Sequence, residues 1–315
     1  MALLKDIGER SLVRNITSRI RPSGRFGPGD DAAVLTLKGK TVISTDVVTF
    51  KRHMPTGMTF EEFGWMAAAV NFSDIASMGA RPVGILAALS MPADMDEKCV
   101  YDMMAGIDRC AGYCGTFVIG GDTKTGEGSI CCTAVGDMED RDPMTRSGAR
   151  PGNVVAVTGT LGSAAAGYYA IKNGIDEPEA IMSLKHPMPR IKEGIILAGL
   201  GATSCMDISD GLSSAVTEIC SKSGVGIKIR WDALPRGAGV SGVAEFVPEE
   251  SMLLDFGGDY ELLFTFPADI AGELRERMSF TVIGTVSKEA GAYLLKEDRV
   301  TEIRNGGYEH FKDRS

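Results

Sequence analysis

Carboxylates in this chain gather in short clusters flanked by Gly, Ser and Thr, and each cluster follows or precedes an apolar run. Asp30 and Asp31 lie in FGPGDDAAVL, Asp46 in ISTDVV, Asp74 in NFSDIASMGARP and Asp122 in VIGGDTKTGEG. Asp207 and Asp210 share MDISDGLSS, and Asp259 stands in FGGDYELLFT. A chain written this way must alternate buried elements with loops that carry its charge where they leave the core. Small neighbours let backbone and ligand approach closely. Hard oxygen donors on several separate loops suit Mg²⁺ bridging phosphates, not zinc or haem. The pattern points to ATP chemistry.

The 315 residues are enough for two ordinary domains. A net charge of −9, from 33 basic and 42 acidic side chains, argues against a broad nucleic-acid or anionic-membrane surface. The seven Cys form no C-x-x-C and mostly lie in apolar runs, as small buried hydrophobes of a reducing compartment do. MALLKDIGERSLVRNI carries charges in its first turns, unlike a secretory signal, and no run reaches the length of a membrane span. The expectation is a cytoplasmic protein with no nucleic-acid partner and no membrane association.

Leu3, Leu4, Ile7, Leu12, Val13 and Ile16 predict one amphipathic helix at the start. AAVLTL and KTVIST read as strands, the second ending at Asp46. Thr59 with Glu62 fits a capping box, and the helix it opens has Phe63, Met66, Ala67, Val70 and Ile75 on its apolar face. Gly79 and Pro82 stop it. The strand VGILAALSMP, a helix near 95–114 capped by Asp94, a strand TFVIGG ending at Asp122 and a strand SICCTAVGDM follow. Turn-rich ARPGN then precedes a buried VVAVTG, which places a domain boundary near 148 and gives domains 1–148 and 149–315. The second holds helices near 162–173 and 189–199, a helix after DISDG, and strands GVGIKIRWDAL, ELLFTF and FTVIGTV. The class is α+β.

No GxxxxGK[ST], H-R-D or D-F-G occurs, so neither a P-loop nor a protein-kinase plan applies. Each acidic cluster also has a bland reading. GDD and FGGDY suit turns, STD suits a hydroxyl-capped strand end, and Ser209 or Asp210 could simply cap the helix after DISDG. NFSD is harder to explain away. Asn71 and Asp74 share one side of the last turns of an apolar helix, where a carboxylate meets an unfavourable dipole. A cation would resolve that.

In order and wording, GDDAAVL, STD, VNFSDIASMGARP, GGDT, RSGARPGNVVAVTGTLG, PRI, DISDGL, GGDYELLFT and GGYEHF resemble the thiamine-monophosphate kinase branch of the aminoimidazole-ribonucleotide-synthetase-like superfamily. The resemblance covers nearly the whole chain. It implies a two-domain α+β fold with an N-terminal sheet that pairs across a homodimer and a C-terminal α/β domain. It implies ATP in a cleft lined by both domains and several Mg²⁺ ions held by Asp30, Ser44, Thr45, Asp46, Asp74, Asp122, Asp207 and Asp210. Gly121, Asp122, Arg146 and Ser209 match nucleotide-binding positions, and His53, Asp259 and Tyr308 match the acceptor side. Two stretches depart from the pattern. Phe50-Lys51-Arg52 replaces the usual acidic and glycine positions before the His, and GGED is shortened to GGD, so that Asp259 stands in for a substrate-contacting acid.

The activity implied is phosphorylation of thiamine monophosphate by ATP. The attacking oxygen would be the acceptor's own phosphate, whose second pKa is about 6. No covalent nucleophile or general base is then expected. The aminoimidazole-ribonucleotide, selenophosphate and hydrogenase-maturation relatives fit worse, since STDVVTF stands where the first would carry Gly-Val-Gly-Thr-Lys, the first Cys is Cys99, and the chain ends GGYEHFKDRS. A non-catalytic nucleotide- or metal-binding protein is the alternative of a different class.

Overall fold

The computed structural model describes residues 2–22, 28 and 32–308. The apolar periodicity near the start is split into α1 (Leu4–Ile7) and α2 (Glu9–Thr17). Gly8 between them sits at φ +71°, which ends one helix and opens the next. AAVLTL forms no strand. Just after it, the Lys38 and Gly39 N–H groups donate to the Asp137 carboxylate at 2.8 and 3.0 Å and turn the chain into β1 (Thr41–Thr49). β1 runs three residues past Asp46, because its pairing with β4 continues unbroken to Thr49.

The first compact unit (Met1–Ile75 and Ala80–Asp140) continues with α3 (Phe50–His53), α4 (Phe60–Ser77), β2 (Arg81–Met91), α5 (Glu97–Tyr113), β3 (Val118–Thr125) and β4 (Ser129–Asp137). The capping box is present: Glu62 N–H donates to Thr59 Oγ1 at 3.2 Å, and Thr59 N–H donates to Glu62 Oε2 at 2.6 Å. α5 is capped by Asp96, not Asp94; Asp96 directly precedes the first helical residue and accepts Lys98 N–H at 2.9 Å. The sheet order is β1-β4-β2-β3, with β2–β3 parallel and the other pairs antiparallel. Along β4, Ile130, Cys132 and Ala134 are fully buried while Cys131, Thr133 and Val135 are half-buried, so one face of the sheet forms the core. On the other face Ile43 and Val47 are 66% and 55% exposed.

The second unit (Ala76–Gly79 and Arg141–Ser315) contains β5 (Val154–Val157), α6 (Ser163–Asn173), α7 (Pro178–Lys185), α8 (Ile191–Leu200), β6 (Ser204–Asp207), α9 (Leu212–Ser223), β7 (Gly226–Arg230), β8 (Leu262–Phe266), α10 (Ala271–Arg277), β9 (Thr281–Ser287), β10 (Gly291–Lys296) and β11 (Arg299–Glu302). Its sheet order is β11-β10-β7-β9-β5-β8-β6, parallel only between β10 and β7. α7, which opens on Pro178, and the β10–β11 hairpin have no counterpart in the sequence reading. The core of this unit joins Val155 and Val157 of β5, Ile227 and Ile229 of β7 and Leu212, Val216 and Ile219 of α9.

α4 and α5 approach backbone to backbone. A Cβ at Gly64 would run into the Met103 carbonyl, and one at Gly106 into the Glu61 carbonyl. Backbone cannot move aside as a side chain can, so Gly64→Ala should destabilise the protein by roughly 1–3 kcal/mol despite the higher helix propensity of Ala. Denaturant unfolding checks this; a midpoint equal to that of the wild type would show that the helices slide apart freely.

Candidate active site

Strand alternation sorts the STD triplet. Ser44 and Asp46 point to one face of β1, and Thr45 to the other. Ser44 Oγ donates to the Asp74 carboxylate. Asp46 N–H donates to Asn71 Oδ1 at 3.0 Å, and Asn71 Nδ2 donates to the Ala67 carbonyl at 3.0 Å. The fully buried Asn71 is thereby satisfied, and the last turns of α4 are stitched to β1. Thr45 Oγ1 instead donates to the Cys132 carbonyl at 2.9 Å and lies 3.0 Å from Thr133 Oγ1. Asp30 falls outside the described residues.

His53 ends α3, and its Nδ1 accepts Thr49 N–H at 3.1 Å, which leaves the proton of a neutral ring on Nε2. The departure at Phe50 has a packing role. Its ring centroid lies 5.8 Å from Phe60 and 5.1 Å from Phe63, both edge-on. Gly121 and Asp122 sit within β3, not at its end, because β3 stays paired with β2 as far as Thr125. Asp122 accepts Thr123 N–H at 2.8 Å and pairs with Lys124 at 3.1 Å. Lys124, then the Thr123 N–H, hold its carboxyl below the usual range. Lys124 also reaches Glu9 at 3.3 Å. A cavity of about 780 Å³ lies over the open sheet face, bordered by Ala88, Gly121, Asp122 and Thr133.

In the second unit the β6–β8 ladder continues beyond its strands. Ile208 N–H donates to the Glu261 carbonyl at 2.7 Å, Tyr260 N–H to that of Ile208 at 3.1 Å, and Gly258 N–H to that of Ser209 at 2.8 Å. Tyr308 N–H adds a bond to the Asp210 carbonyl at 3.1 Å. A Cβ at Gly257 would strike the Ser209 carbonyl, and Gly258 has φ +96°. These contacts are possible only for glycine. The cap position of α9 is Gly211, so neither Ser209 nor Asp210 occupies it. Asp207 closes β6 and is buried. Arg146 is exposed, its carbonyl accepting Ser223 Oγ at 2.9 Å, while the adjacent Thr145 carbonyl accepts Cys205 N–H at 3.2 Å. Tyr308 is half-exposed.

Both Asp259 oxygens face the N-terminus of α6. Oδ2 accepts Gly162 N–H at 2.7 Å and Oδ1 accepts Ala164 N–H at 3.1 Å. Burial pushes this carboxyl up to about 7, against the pull of the two N–H groups. Glu261, to which the sequence reading assigns no role, accepts Arg190 and Thr158; its signal is a single carboxylate heading the apolar run ELLFTF. Among the described residues no three His, Cys, Asp or Glu side chains gather closely enough to hold a metal ion. The acids of each unit present oxygen donors of the hard kind that Mg²⁺ prefers.

Residues 29–138 match the family model "AIR synthase related protein, N-terminal domain", and residues 150–296 its C-terminal domain counterpart. The two in tandem set the class. The thiamine-monophosphate kinase of Methanospirillum hungatei JF-1 is 35% identical over 284 residues, covering 86% of this chain and 95% of the relative. The crystal structure of thiamine-monophosphate kinase from Stenotrophomonas maltophilia K279a superposes with a TM-score of 0.79 at 29% identity, over 90% of this chain and 94% of that one. AaThiL complexed with AMPPCP and TMP gives 0.76 at 30% identity over 99% of each chain. This chain belongs to the thiamine-monophosphate kinase family.

A carboxyl raised in the folded state contributes stability that is fully present below about pH 4 and lost as pH rises through 7. The melting temperature of the wild type should therefore fall from pH 4 to pH 8 relative to that of Asp259→Asn. Parallel curves across that window would show that Asp259 titrates normally.

Proposed function

We propose that this chain transfers the γ-phosphoryl group of ATP to thiamine monophosphate, giving thiamine diphosphate and ADP. The observation that carries the reading is full-length similarity to a protein that binds AMPPCP, a non-hydrolysable ATP analogue, together with TMP. Asp30, Asp46, Asp74, Asp122, Asp207 and Asp210, with the hydroxyls of Ser44 and Thr45, would hold Mg²⁺. When bound, these ions would neutralise charge between the two polyanions that must meet.

The chain's own groups do the rest. Asn71 fixes the backbone of Asp46, and Ser44 orients the Asp74 carboxylate. Gly121 and Asp122 border a cavity of the size a nucleotide needs. Arg146 and Ser209 serve the phosphates, Arg through its fork. On the acceptor side, His53 Nε2–H donates to the monophosphate, Tyr308 offers a face to the cationic thiazolium, and Asp259 acts by fixing the first turn of α6.

We further propose a homodimer in which the first sheet pairs across the two subunits. Exposed Ile43 and Val47 on edge strand β1 support this, since a long apolar edge is rarely left in water. A cytoplasmic location fits the described cysteines, all free thiols, and no described helix is long and apolar enough to cross a membrane.

The direct test supplies purified protein with ATP, Mg²⁺ and a panel of phosphorylated pyrimidines and follows products by mass. Thiamine diphosphate should appear; its absence, with another acceptor consumed, would overturn the acceptor assignment. Asp74→Asn and Asp210→Asn should each keep a cooperative melt yet lose about 3 kcal/mol of transition-state stabilisation, ~100-fold or more in kcat. Near-full activity at limiting Mg²⁺ would remove that residue from the ligand set.

A further inference from the structure

Residues of three motifs, none of them assigned a ligand so far, converge on one buried carboxylate. Glu261 of GGDYELLFT accepts Thr158 Oγ1 of VTGTLG at 2.6 Å, and Arg190 of PRI at 2.6 Å from Nε and 2.5 Å from Nη2. Its side chain is 8% exposed. Thr158 Oγ1 in turn accepts Leu262 N–H at 2.8 Å, and Thr158 N–H donates to the Leu262 carbonyl at 3.1 Å. Gly159 follows at φ +48°, where a Cβ would strike Glu261 Oε1 and Arg190 Nη2.

A buried ion pair of this kind adds little net stability, because desolvation of both charges offsets their attraction, and an apolar pair of similar volume often serves as well. What it does fix is geometry. Glu261 also accepts Ile208 N–H through its own carbonyl, and the next ladder bonds tie Tyr260 to Ile208 and Gly258 to Ser209. Two residues before Glu261, Asp259 holds Gly162 and Ala164 at the far end of the turn that begins at Thr158. The Glu261 side chain therefore anchors one end of segment 257–261, whose Asp259 meets α6 and whose backbone meets the DISD loop. A one-residue slip there would turn over the side chains of that segment and break the backbone bonds that hold Ile208 and Ser209 in place, next to Asp210.

We infer that Arg190, Glu261 and Thr158 are positioning residues that aim Ser209 and Asp210 at Mg²⁺-ATP. The inference rests on the kinase reading above. Its test pairs melting with calorimetric affinity for Mg²⁺-ATP in Arg190→Met/Glu261→Met, an apolar replacement of the pair, and in Thr158→Val, a near-isosteric loss of the hydroxyl. At least one variant should melt within a few degrees of the wild type, and every such variant should bind Mg²⁺-ATP about 10-fold more weakly, with kcat reduced as well. A variant that melts like the wild type and binds Mg²⁺-ATP within twofold of it overturns the inference. So does loss of folding in both, since the residues would then be structural alone. A wild type that binds Mg²⁺-ATP but leaves thiamine monophosphate untouched would sink the acceptor reading and leave this inference standing.

Discussion

A carboxylate set beside other carboxylates is raised in free energy, so a chain that carries many acids near its strand ends must meet each with a donor. Backbone N–H groups do much of this here. Asp137 accepts from Lys38, Glu139 and Gly39, which holds its carboxyl below the usual range and forms the turn into β1. Asp259 takes the first N–H groups of α6, and Asp122 takes Thr123 N–H beside Lys124. Asp74 receives the Ser44 hydroxyl. Charge is therefore ordered by the same bonds that order the fold.

How far these features could be read in the sequence depends on whether the cause is local. The Thr59–Glu62 box and the short buried strands are local patterns and appear as expected, whereas α4 is buried on nearly every side and not on one apolar face. Gly8 breaks the first helix through a backbone angle that periodicity does not register. AAVLTL alternates like a strand, yet β1 takes the edge next to β4, and Asp137, about 100 residues away, takes the N–H groups that follow AAVLTL. α5 is capped at Asp96 because the cap belongs to the residue adjoining the helix, and two aspartates two apart cannot be separated by composition.

The site divides the same way. Acid clusters are visible as words in the sequence, but the face each residue takes is decided by pairing. Ser44 and Thr45 are neighbours with opposite directions, so one meets Asp74 and the other meets Thr133 across the ladder. Glu261 is marked in the sequence only as a lone carboxylate heading ELLFTF, because its partners Thr158 and Arg190 lie about 100 and 70 residues away. A departure from the family pattern is likewise explained by contacts and not by motif. Phe50 fills a space between Phe60 and Phe63, and a Cβ on Gly128 would collide with its ring.

The same packing bears on how the phosphoryl group moves. Burial pushes the thiols of Cys110, Cys132 and Cys205 far up and that of Cys220 to about 11, so none of these is a thiolate at neutral pH. His53 has its Nδ1 committed to Thr49 N–H at 3.1 Å, which occupies the lone pair that a base would use. A phosphate monoester with a second pKa near 6 brings its own nucleophilic oxygen and needs no base to expose it. Rate then depends on placing two anionic groups in line and offsetting their repulsion. That demand falls on backbone geometry, and it gives a physical reason for glycines at Gly257 and Gly258 pressed against the loop that carries Ser209 and Asp210.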